Sequence, residues 1–169
     1  MEGSIGQLRR ILRRALHKRC WNVTAGGCTL SEFTLAMGRK VRRRKALRNP
    51  ALSTEFRHFE GEVSFFIRCA WRVDRCGSIV ASNIDSEEHI ASGLNNLLGR
   101  TLLAITVVEP GWDLVLRFTS GWRLTTFSTY TENFDDIMKN WHARIAATKV
   151  YAGPGVKIEI KDLSCNYTF

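Results

Sequence analysis

The chain has 169 residues, 44% hydrophobic and 24% charged, with 25 lysines and arginines against 16 carboxylates and a formal net charge of +9. That length fits one domain with an appendage or two very small domains; no apolar run reaches the roughly 18 residues of a membrane span, and no charged start leads into an apolar signal core. The charge is unevenly placed: residues 1–50 hold 13 basic side chains against Glu2 and Glu32, a field that favours polyanionic partners without specifying a fold.

In chain order, Ser4 is placed to cap a first helix. Ile5, Leu8, Ile11, Leu12, Ala15 and Leu16 recur at helical spacing, and Arg9, Arg10, Arg13, Arg14 and Lys18 make a cationic face. Residues 22–28, with Gly26-Gly27, read as a loop. Thr29-Leu30-Ser31-Glu32 resembles a capping box, predicting a second helix with Leu30, Phe33, Met37 and Val41 on its apolar side. Pro50 ends whatever follows. Residues 1–50 thus read as a basic helical extension, and residues 51–60 as a connector anchored by Phe56 and Phe59.

From Glu62 the period changes to two. Val63, Phe65, Ile67, Cys69, Trp71 and Val73 alternate with mostly polar residues, predicting one half-buried strand up to Asp74. Asp74–Gly77 is a turn, and residues 79–83 form a short partner strand. Asp85 and Glu88 suggest a capping box for a helix with Ile90, Leu94, Leu97 and Leu98, closed by Gly99. Residues 101–109 are apolar on both faces, which predicts a central strand. Trp112, Leu114, Leu116 and Phe118 form the next, turning at Ser120-Gly121 into 123–128. An odd-length loop there pairs Phe118 with Leu124. An acidic loop over 129–140 precedes strands at 141–150 and 156–161, separated by Gly153-Pro154-Gly155. The expected fold is α+β: over residues 61–169, an antiparallel meandering sheet packed by one helix, preceded by basic N-terminal helices. No internal repeat or low-complexity segment is apparent.

The basic leader is the first functional candidate. Lysine and arginine bind phosphates by releasing counterions, so Arg9, Arg10, Arg13, Arg14, Arg39, Lys40, Arg42, Arg43, Arg44 and Lys45 are candidate nucleic-acid contacts. A solvated helix face, or one docked on an acidic protein, is the plainer alternative. Two short helices suggest a helix-turn-helix without defining a recognition helix. The stretch 4–19 also fits a mitochondrial presequence, against which stand Glu2 and the further basic run to Arg48.

His17, Cys20 and Cys28 lack the paired spacing of a metal site, and no metal or other cofactor is expected. Five cysteines without a secretory signal suggest reduced thiols in a cytoplasmic protein. His142 beside Glu132, Asp135 and Asp136 could form an acid–base pair, but no nucleophile motif accompanies it, so no enzyme is expected. Trp122 at a turn tip and the acidic Glu132, Asp135 and Asp136 are candidate contacts for a protein partner.

Leu98-Gly99-Arg100, Asp113-Leu114-x-Leu116-x-Phe118, Gly121, Leu124, Phe127 and Asn140-Trp141 together resemble small bacterial domains of toxin-immunity and defence-island proteins, over a quarter to a third of the chain. The resemblance implies a cognate protein partner and neither catalysis nor a cofactor. The expected function is therefore non-enzymatic binding: nucleic acid through the arginine-rich segment, or one acidic or cognate protein, with a homodimer conceivable and no membrane contact.

Overall fold

The computed structural model describes residues 4–26, 32–128, 140–152 and 158–163. The order is α1 (Ile5–Arg13), β1 (Cys20–Gly26), β2 (Glu32–Arg42), α2 (Thr54–His58), β3 (Phe59–Ile67), β4 (Ala70–Arg75), β5 (Ser78–Ser82), α3 (Glu87–Asn95), β6 (Leu102–Val108), β7 (Asp113–Phe118), β8 (Trp122–Phe127), β9 (Trp141–Ile145), β10 (Thr148–Ala152) and β11 (Ile158–Asp162). The protein is mostly β, and α+β in the broad sense.

Two antiparallel sheets replace the expected single one, in the orders β1-β2-β3-β9-β10-β11 and β5-β4-β8-β7-β6. They face each other across one apolar cluster, where Phe33 of the first sheet meets Trp71 of the second edge-on at 5.1 Å. Leu8, Leu12, Ala15, Cys20, Phe33, Leu35 and Met37 belong to this cluster. The first fifty residues therefore help build the core.

Several sequence expectations need correcting. The segment read as a second helix is strand β2. Phe33 and Met37 stand four apart, a spacing that satisfies both periods, but Leu35 completes an inward alternation. Residues 22–26 belong to β1 rather than a loop. The single strand read from Glu62 to Asp74 is two, β3 and β4, in different sheets; Cys69 and Trp71 stay inward through the corner, so the alternation never breaks. Likewise 141–150 is a hairpin of β9 and β10. Strand β6 is an edge rather than central; α1 packs against part of it, while Leu103 and Val108 stay 48% and 44% exposed. The β7–β8 loop is odd in length as expected, but Leu116 rather than Phe118 pairs with Leu124. Ser86, not Asp85, caps α3.

The architecture also contains a repeat. Helices α1 and α3 have nine residues each, are capped by Ser4 and Ser86, and lie 82 positions apart. The same offset relates β1 to β6, including matching β-bulges at Cys20/Asn22 and Leu102/Ala104. Cys20 N–H donates to Arg100 O at 2.8 Å, and Leu102 N–H donates to Lys18 O at 3.0 Å. Gly38 N–H reaches Arg19 O and Thr119 N–H reaches Thr101 O, both at 2.9 Å.

Each half builds a helix and three strands, then crosses over. Strands β1-β2-β3 of the first half pair with β9-β10 of the second, and β6-β7-β8 pair with β4-β5. The registers agree: Ile67 faces Trp141, and Thr126 faces Trp71. Both tryptophans are buried. The repeat escapes sequence inspection because it lives in spacing and burial rather than in residue identity.

Helix α3 packs on β5 and β1 as α1 packs on β6, β9 and β11. Gly93 lets α3 approach β5, since a Cβ there would overlap the Cβ of Ala81. Gly93→Ala is expected to destabilise the fold by about 1–3 kcal/mol through overpacking. In an Ala81→Gly background that extra loss should vanish, a coupling that urea denaturation of the double-mutant cycle reads directly.

Candidate functional site

The two halves serve as controls for each other. Where β7 joins β8 through the short turn Thr119–Gly121, β2 joins β3 through residues 43–58. The long connection carries much of the basic run and α2. Its anchor is Phe56, buried 6.4 Å from Trp21 of β1, with Lys40 Nζ 5.2 Å above the Trp21 ring and Arg43 above Phe56. Leu103, the counterpart of Trp21 on the second sheet, has no such cover and is 48% exposed.

The predicted cationic residues separate into two groups. Arg43 is structural: it donates to Phe56 O at 3.2 Å and Phe59 O at 3.1 Å, and pairs with Glu60 at 3.0 Å. Lys40 pairs with Glu55. Arg9, Arg10, Arg13, Arg14, Arg39, Arg42 and Lys45 make no side-chain ion pair among the described residues, and all are exposed. Arg44 is exposed as well. The segment after α1 and strand β2 meet at Glu62, which takes Lys18 Nζ at 2.8 Å and Arg39 N–H at 3.0 Å. These bonds, Lys18 first, hold the Glu62 carboxyl below its usual range.

Below the insertion opens a groove of about 440 Å³ on the outer face of the first sheet. Register sets two rows across this face, Thr34, Phe66, His142, Tyr151, Glu159 and Ala36, Ser64, Arg144, Lys149, Lys161; Thr34, Phe66, His142, Ser64, Arg144 and Lys149 line the groove itself. Phe66 and His142 have ring centroids 5.0 Å apart, and His142 and Tyr151 are 5.4 Å apart, each pair tilted by 44°. Arg68 lies over Phe66, and Lys149 and Lys161 lie over Tyr151. Arg43 and Arg144 share the single carboxylate of Glu60, and Lys149 makes no ion pair among the described residues. The groove therefore carries a cationic surplus. Burial, followed by the charges of Lys149, Arg68 and Arg144, pushes the His142 pKa down to about 4, so the ring is neutral at pH 7.

The equivalent stations on the second sheet hold Val115, Thr125, Arg72 and Ser82, and Arg117, Arg123, Asp74 and Ile79. There Asp74 stands where Arg144 stands, and takes Arg123 Nε at 2.8 Å. The shared framework thus tolerates a row without aromatic rings and with a carboxylate. The aromatic row of the first sheet is not demanded by the fold, whereas both sheets carry two cations at the equivalent stations of the second level.

Other candidates fall differently. Trp122 is 4% exposed, beneath Arg75, so it offers no tip for a partner. Glu132, Asp135 and Asp136 lie outside the described residues, as does Cys28. Burial raises the Cys20 and Cys69 thiols to about 12, as befits packed core residues. Sequence reasoning missed Phe66, Arg144, Lys149 and Tyr151. Their signal was aromatic and basic residues at the outward phase of successive strands, readable only once those strands were known to be neighbours.

No protein-family model matches this chain, no curated protein matches it, and no solved structure does.

The depressed His142 pKa has a stability consequence. The unfolded chain takes up the imidazole proton near pH 6.5, and the folded chain only near pH 4. Stability is therefore full above pH 6.5 and declines as pH falls toward 4, by up to about 3 kcal/mol. Urea midpoints between pH 7.5 and 4.5 should fall less steeply in His142→Gln than in the wild type; parallel profiles would contradict the assignment.

Proposed function

We propose that this chain is a non-enzymatic nucleic-acid-binding protein whose interface is the arginine-rich β2–β3 connection together with the groove beneath it. The observation that carries this reading is the cationic surplus: Arg43, Arg144 and Lys149 line a groove whose one described carboxylate is Glu60. The exposed Arg39, Arg42 and Lys45 extend the same sign outward. A phosphate backbone supplies the missing negative charge, and its displaced counterions supply affinity. Arg43 acts as a brace for the connection rather than as a free contact, and Arg144, which also pairs with Glu60 and donates to Gly61 O at 3.1 Å, keeps only part of its guanidinium for a ligand.

Binding one cognate protein is the alternative. The exposed Leu103 beside a groove of about 430 Å³ on the second sheet favours it, as an apolar contact on a surface where Arg72 and Arg123 share Asp74 and Arg117 is exposed.

Fluorescence anisotropy with a labelled oligonucleotide across a salt series separates the two. The expected affinity falls steeply with salt, with a log–log slope of about −0.7 per single-strand phosphate neutralised. The triple variant Arg39→Glu, Arg42→Glu, Lys45→Glu should lower both affinity and slope. Absence of binding at low salt, with a stoichiometric protein co-purifying instead, would favour the alternative.

A further inference from the structure

The geometry points to single-stranded nucleic acid as the ligand, with its bases stacked on the Phe66–His142–Tyr151 ladder and its phosphates held by Arg144, Lys149 and the β2–β3 connection. This rests on the nucleic-acid reading above and narrows it. Three observations support it independently of net charge.

First, the ladder is continuous. Phe66, His142 and Tyr151 sit on the adjacent strands β3, β9 and β10 at one register level, with successive centroids 5.0 and 5.4 Å apart. Strand spacing thus sets a row of half-buried, mutually tilted rings along the outer face, with Arg68 over Phe66 and Lys149 and Lys161 over Tyr151, which a stacking base would displace. Bases splayed from a single strand can stack on such a row, whereas bases inside a duplex cannot reach it.

Second, the cations occupy the next register level. The backbone positions of Ser64, Arg144 and Lys149 run parallel to the ladder, one side-chain repeat away on the same face, and Lys149 reaches across so that its ammonium lies 5.1 Å from the Tyr151 ring centre. A backbone lying along this second row leaves its bases over the first.

Third, the ladder is specific to one half of the repeat. Thr125, Arg72 and Ser82 occupy its positions on the second sheet without loss of the strand pairing. Packing the shared framework therefore does not account for three aligned rings. The neutral state of His142 at pH 7 suits it to stacking rather than to a charged phosphate contact.

The test compares labelled twelve-nucleotide oligo(dT) and oligo(U) with a duplex of equal phosphate number, using the full chain at fixed low salt. Both single strands should bind at least about tenfold more tightly than the duplex; a difference between the two single strands tells DNA from RNA. Phe66→Leu and Tyr151→Leu keep the apolar bulk of the outer face. Each should lose about fivefold or more in single-strand affinity with the salt slope unchanged. Independently of any variant, the His142 ring protons should shift upfield in NMR spectra when oligo(dT) is added. Equal binding of duplex and single strand, or leucine variants that bind like wild type while the glutamate triple variant loses affinity, would overturn the stacking inference and leave the polyanion reading standing. No binding of any oligonucleotide would overturn both.

Discussion

The seam between the two halves governs everything else in this molecule. Strand β3 accepts β9, and β8 accepts β4, so neither half completes a sheet with its own residues. Trp141 and Trp71 occupy matching stations on those borrowed strands, both fully within the core. The cross-pairing makes folding of each half contingent on the other. It also fixes which outward side chains become neighbours. His142 comes to lie between Phe66 and Tyr151 only because β9 inserts between β3 and β10.

Against this common plan, the departures from symmetry carry functional information. One half adds residues 43–58 where the other has a tight turn. The same sheet places Arg144 where the other has Asp74. It also carries three rings where the other has Thr125, Arg72 and Ser82. All three departures converge on one groove. An insertion far from the ladder, or a ladder on the opposite sheet, would have dissociated them. The two arginines on Glu60 show how the site tolerates its own charge: one carboxylate bridges them, and the remaining positive potential is left for a ligand.

Much of the local structure was legible in the sequence. Ser4 and the alternation from Val63 to Val73 each mark a real element, because caps and periodicity are local properties, whereas α3 ends at Asn95 with Asn96 as its cap and Gly99 turns the chain only three residues later. Phe33 and Met37 misled because a four-residue spacing serves helix and strand alike. The corner at Arg68-Cys69 was invisible because both strands keep the same phase toward the core. The arginine-rich run was conspicuous, but its division into Arg43 as brace and Arg42 as exposed cation depends on Glu60 and on carbonyl oxygens brought in by folding. The ladder depends on the pairing order of β3, β9 and β10, which no local pattern encodes.

The central claim is that the first sheet's outer face, and not its counterpart, is the binding surface. Amide chemical-shift mapping on titration with oligo(dT) tests it most directly. The account predicts perturbations clustered at Phe66, His142, Arg144, Lys149 and Tyr151, with Thr125, Arg72 and Ser82 unmoved. Shifts centred on Leu103 and Arg117 of the second sheet, or none at all, would contradict it.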